Sequence, residues 1–129
     1  MKIDHDIIWQ EGKYVDFWSI PHIIIGALLA WLFCFFGLNF YINFMISFLI
    51  MFGWEFFELY VLHAEEYFPN KVMDVVTGLI GFFVMYYFIE KHGLISLRVW
   101  EISLGIIYFS LCSWGLWHHY HRKTPKRDK

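Results

Sequence analysis

Among the ionisable side chains that stand inside otherwise apolar stretches of this chain are His22, Glu55, Glu58 and Asp74. Such groups are costly in an apolar segment, so they turn inward and find either a partner or a task. Glu55 and Glu58 are three residues apart, which places both on one face of a helix. Glu55 lies a turn deeper and is expected to be the more buried of the two. Two carboxylates held close repel one another and share a proton. An imidazole beside them completes a set with acid/base capacity, as a proton relay or a reaction would need. A structural use is equally open, because membrane bundles employ buried polar side chains as glue. His22, Glu55, Glu58 and Asp74 are therefore the catalytic candidates. The di-iron bundle pattern requires Glu-x-x-His pairs on facing helices. No such pair occurs here, and Glu55-x-x-Glu58 with one histidine is a weak substitute; a metal site is a third reading, and neither a metal nor a cofactor is expected.

Composition identifies the elements that must position these groups. Of 129 residues, 59% are hydrophobic, 23% aromatic and only 17% charged, whereas a soluble domain carries about a quarter charged residues. A bilayer core takes about 20 mostly apolar residues per helix. Four segments qualify: Phe17 to Leu38, Phe40 to Leu62, Val72 to Ile89, and Ser96 to Trp117. The expected fold is all-α, a four-span transmembrane helical bundle forming one integral-membrane domain over residues 1–129. Asp4, Asp6, Glu11 and Asp16 give the first segment an acidic flank, and no small-residue cleavage site follows it, unlike a signal peptide. Between the second and third segments, Pro69 and Asn70 read as a turn.

Orientation follows from Lys and Arg near the span ends. With four spans, the side carrying both termini holds Lys2, Lys13, Lys71, Arg122, Lys123, Lys126, Arg127 and Lys129, while the other holds Lys91 and Arg98. Both termini are thus expected in the cytoplasm, with the protein in the cell membrane. Trp18, Trp117 and Tyr120 then fall at the inner interface, Tyr41 and Trp100 at the outer. The basic tail 118–129, with His118, His119 and His121, is suited to anionic lipid headgroups. Cys34 and Cys112 lie at opposite depths and cannot form a disulfide. A formal net charge of −2 gives a nucleic-acid role no support. Glu101 has Arg98 one turn away as a local partner.

On this topology His22, Glu55, Glu58 and Asp74 reach a similar depth near the cytoplasmic side. Ser19, His22, Gly26 and Ala30 share one helix face, and Asp74, Thr77, Gly78 and Gly81 share another. Small residues on such faces are what close helix packing in membranes requires. The ionisable groups should therefore project into tight helix contacts and not toward lipid.

Read together, these positions resemble the VanZ-like family of small multi-pass bacterial membrane proteins. In that family an Asp precedes a His near the start of one helix, and a Glu-bearing helix leads through a basic loop into an Asp-x-x-x-Asn-x-x-Gly-x-x-x-Gly-like helix. This chain offers Asp16 and His22 in DFWSIPH, Glu55 and Glu58 in WEFFELY, then Lys71, Asp74, Gly78 and Gly81 in PNKVMDVVTGLIG. The match covers residues 16 to 82. It departs where the family's Arg is Lys71, where its Asn falls on Thr77 or Gly78, and where the usual Gln near the Glu is absent. The resemblance implies a cell-envelope membrane protein linked to glycopeptide tolerance. An adjacent acidic pair, Glu65 and Glu66, also opens the motif of intramembrane CAAX-type proteases, but the later arginine and histidine helices of that family are missing.

Two functions fit these features. The favoured expectation is an accessory or structural subunit of a larger membrane complex, its aromatic-rich spans facing other membrane subunits or the lipid bilayer. The alternative is a bundle acting on a lipid or headgroup at the cytoplasmic leaflet through the four ionisable residues.

Overall fold

Helices that are apolar on every side form where the backbone must satisfy its own hydrogen bonds, and the described residues form four helices joined by short turns. The computed structural model describes residues 17–61 and 68–123, with side chains up to His118. Its four helices are α1 (Ser19–Phe35), α2 (Phe40–Tyr60), α3 (Phe68–His92) and α4 (Arg98–Lys123). Three stretches, Phe40–Tyr60, Phe68–His92 and Arg98–His118, are long and apolar enough to cross a membrane, and α1 is a shorter apolar helix of 17 residues.

Local chemistry sets the boundaries. Gly37, at φ 78°, ends α1 in a left-handed conformation that favours glycine. Gly37 N–H donates to the Cys34 carbonyl and Leu38 N–H to the Phe33 carbonyl, the paired bonds of a Schellman cap. Asn39 then caps α2, its side chain accepting from the Ile42 N–H at 3.0 Å. Gly93, at φ 81°, makes the same left-handed exit from α3.

Two boundaries differ from the sequence expectation. Pro69 and Asn70 do not form a turn; both lie in the first turn of α3. Proline has no N–H to lose there and its fixed φ suits a helix start. The last helix also runs on to Lys123, so His118 belongs to it and not to a tail; its ring is buried beside Trp114 and Trp117. Residues 62–67 and 124–129, the side chains of 119–123, and Asp16 with the rest of the N-terminal flank lie outside the described residues.

α1 is the central helix. It packs most extensively on α3 and also touches α2 and α4. The α1–α3 contact is close because both helices present glycine there. A Cβ on Gly26 would overlap the Gly78 carbonyl, and one on Gly81 would overlap the Ile23 carbonyl. Beyond this crossing, away from the end where α1 begins, the core is mainly apolar and aromatic. Phe82 and Ala30 are fully buried, with Phe40, Phe44 and Tyr86 packed around them. Trp31 Nε1 donates to the Leu94 carbonyl at 3.3 Å, tying α1 to the α3–α4 turn.

Candidate functional site

At the end where α1 begins, three helices deliver one ionisable group each. His22 stands one turn into α1, Glu55 five residues before the end of α2, and Asp74 six residues into α3. Their relative exposures are 7%, 7% and 1%. One donor atom from each lies within 4.8 Å of the other two. The neighbouring backbone explains the proximity. Gly26 and Gly78 sit one turn beyond His22 and Asp74, and their close approach draws those two side chains onto the same level.

The hydrogen bonds orient the imidazole. His22 Nδ1 lies 2.7 Å from the Trp18 carbonyl oxygen. A carbonyl oxygen only accepts, so Nδ1 carries the proton. The ring's other nitrogen, Nε2, faces Glu55 Oε1 at 3.3 Å, and Asp74 Oδ1 lies 3.7 Å from Nδ1. Neither Nε2 nor either Glu55 carboxylate oxygen has a hydrogen-bond partner among the described residues. Thr77, one turn from Asp74, is not part of this arrangement, since its hydroxyl donates to the Asp74 backbone carbonyl at 3.0 Å.

Glu58 is set apart from these three. Its Oε1 accepts from Trp54 Nε1 at 2.6 Å on the same helix. It lines a cleft of about 200 Å³ with His22, Trp18, Trp54, Tyr108 and Cys112. Glu55 instead borders a larger cleft of about 550 Å³ between α2 and α3, which Lys71 also lines. Positions three apart differ by about 60° around the helix, and that offset leaves Glu55 at the cleft against α3 and Glu58 at the cleft against α4. As expected, Glu55 is buried and Glu58 only half-buried.

The sequence reading passed over two polar residues. Asn43 and Ser47 are both fully buried. Asn43 Nδ2 donates to the Ala30 carbonyl at 3.0 Å and to Cys34 Sγ at 3.3 Å, and the Ser47 hydroxyl donates to Asn43 Oδ1 at 3.1 Å. With Met51 and Glu55 they form the buried stripe of α2, at a strict spacing of four. That spacing was the available signal. Both cysteines are free. Glu101 makes no ion pair with Arg98 among the described residues, and its Oε2 is buried without a hydrogen bond. Helical side chains lean toward the N-terminus, so Arg98 at the first position of α4 is carried away from it.

Chemically, the three groups offer one neutral or cationic imidazole and two acids in an apolar enclosure. Such a set can hold and pass a proton, bind a cation, or polarise a group that enters beside His22. Comparison with known proteins gives no match: no family model fits the chain, and neither a curated protein nor a solved structure is significantly similar to it.

Proposed function

We propose that this chain is a four-span protein of the cell membrane, with both termini cytoplasmic, that acts on a lipid headgroup at the cytoplasmic leaflet through His22, Glu55 and Asp74. The observation that carries this reading is the convergence of one ionisable group from each of three helices within 4.8 Å. Glue needs only satisfied hydrogen bonds, whereas Nε2 and Glu55 Oε1 have only each other, at 3.3 Å, and Glu55 Oε2 has no hydrogen-bond partner among the described residues.

Depth supports the choice of substrate. Counted from the helix ends, the three residues lie about 5 to 9 Å inside the bundle at 1.5 Å per residue. That is the level at which headgroups meet acyl chains. The cleft beside His22 has apolar walls from Pro21, Met51 and Trp54 and a carboxylate from Glu58, a mixture suited to an amphipathic ligand. α1 counts as the fourth span because its 17 residues reach about 26 Å and because it touches all three longer helices. The VanZ-like resemblance agrees with a role in the cell envelope.

Lipid extracts from cells producing the chain test the proposal. Wild type should change the headgroup composition read by mass spectrometry, while His22→Ala and Glu55→Gln, at equal membrane levels, should not. Identical extracts from cells with wild type and with the variants would overturn it.

One observation favours the second reading, an accessory subunit. Only 6% of the apolar window of α4 is buried, and that helix rests mainly on α1. Trp100, Ile102, Ile106 and Phe109 are left facing outward, toward lipid or a further helix. A defined stoichiometric partner that stays bound in gentle detergent, and is unaffected by His22→Ala, would favour this reading over headgroup chemistry.

A further inference from the structure

We infer that His22, Glu55 and Asp74 form a binding site for one divalent first-row metal ion, with Zn²⁺ as the reference occupant; the inference rests on reading the cluster as a working site.

Two of the donors, His22 Nε2 and Glu55 Oε1, already face each other, and Asp74, whose Oδ1 lies 3.7 Å from Nδ1, completes the set within 4.8 Å. Because Nδ1 gives its proton to the Trp18 carbonyl at 2.7 Å, the neutral ring presents a lone pair at Nε2. Metal-bound histidines have this same arrangement, the second ring N–H held by a backbone carbonyl or a carboxylate. Nε2 faces Glu55 Oε1, and two lone pairs do not face each other at 3.3 Å without something positive between them. A proton is one answer and a metal ion another.

Distance and charge separate the two. A charge-assisted N–H···O bond closes to about 2.7–2.9 Å. Two ligand atoms bound at about 2.0–2.1 Å to a tetrahedral ion stand about 3.3–3.4 Å apart. The separation of 3.3 Å fits the second value and exceeds the first. The two carboxylates carry −2 with a neutral imidazole. A single added proton leaves −1 in an apolar setting, whereas a divalent cation leaves none. Two protons would also neutralise the cluster, and the experiment distinguishes that state.

The donor set also narrows the ion. One imidazole and two carboxylates, without a thiolate, suit Zn²⁺ and its first-row neighbours over Cu⁺. Three protein ligands are the number found in zinc sites that keep a position for substrate or water, and structural sites use four. His22 borders the cleft shared with Glu58, so that open position would serve a ligand arriving from there.

The test uses the full chain, purified in mild detergent, incubated with Zn²⁺ and desalted, with metal content measured by mass spectrometry. The histidines near the C-terminus could chelate independently, so the H119A/H121A full-length variant is measured in parallel. The expected result is close to one Zn²⁺ per chain in both proteins, falling at least tenfold in H22A and in E55Q, and unchanged in E58Q. Substitution of Co²⁺ into the wild type should give the intense visible bands of a four-coordinate ion, a readout that needs no variant to fold. No retained metal, retention that follows His119 and His121, or a Co²⁺ spectrum like that of the aqueous ion would overturn the site. Failure here with headgroup changes still dependent on His22 would leave proton chemistry in place of metal chemistry. Metal bound with no headgroup change would instead remove the proposed reaction and leave the metal.

Discussion

At the scale of single residues, the bundle has two kinds of buried polar group. Asn43 and Ser47 are fully hydrogen-bonded across α1 and α2, while His22 and Glu55 retain unsatisfied atoms. The first kind is structural. Asn43→Leu keeps the branched shape but removes the bond to the Ala30 carbonyl and leaves the Ser47 hydroxyl without its acceptor. It should cost about 1–2 kcal/mol in SDS-titrated unfolding, the upper part of the range for interhelical hydrogen bonds in membranes. A midpoint equal to wild type would show that these bonds contribute nothing net. His22, Glu55 and Asp74 were legible because a charge in an apolar run stands out in any reading. Asn43 and Ser47 were not, since neutral polar residues are common in spans and only the spacing of four marks them. The separation of Glu58 was also hidden. It depends on Trp54, whose indole claims that carboxylate from within the same helix.

At the scale of elements, the two small-residue faces read from the sequence are the faces that meet. Ser19, His22, Gly26 and Ala30 of α1 are buried, as are Asp74, Thr77, Gly78 and Gly81 of α3. Without a hydrophobic drive between helices in lipid, association depends on how closely backbones pack. Gly26 and Gly81 should therefore tolerate no side chain, because a Cβ there overlaps a carbonyl of the facing helix. Gly53 and Gly105 have nothing within 4 Å of such an atom. Gly81→Leu and Gly26→Val should markedly lower the folded fraction and, through the separation of His22 from Asp74, abolish Zn²⁺ retention. Gly53→Ala and Gly105→Ala should match wild type in size-exclusion profile and thermal stability. Equal behaviour of the two pairs would mean that the α1–α3 crossing is looser than its backbone contacts imply. The element limits were less legible. Pro69 signals a break in most contexts, and only its position at the start of α3 makes it a helix opener. The continuation of α4 through His118 was masked by charge, since a cluster of basic residues reads as a tail until Trp114 and Trp117 are seen to cover the histidine.

At the scale of the whole molecule, the sequence carried the order of the four helices among the described residues, but not which one lies in the middle. Hydropathy alone gives no reason to choose, because α1 is the shortest of the four. It is central because its small residues admit α3 on one side while the Ala30 carbonyl takes Asn43 of α2 on another. On the proposed four-span reading α1 crosses the same layer as its neighbours, and the start of α1 and the end of α4 fall on one side. The charge bias then decides which side. On that reading eight of the ten Lys and Arg residues belong to the side of the termini, and positively charged flanks are retained in the cytoplasm. The α3–α4 turn should therefore lie outside and the α2–α3 connection inside. Ile95, in that turn and 90% exposed, is the natural reporter for one face, and Glu66 for the other. In a chain with Cys34 and Cys112 replaced by Ala, Ile95→Cys should react with an impermeant maleimide added to intact cells. Glu66→Cys should react only after the membrane is opened. The reverse pattern would invert the topology and place the His22 cluster at the outer leaflet. Reaction of both from outside would break the four-span arrangement itself, leaving α1 as a helix packed on three spans without crossing beside them.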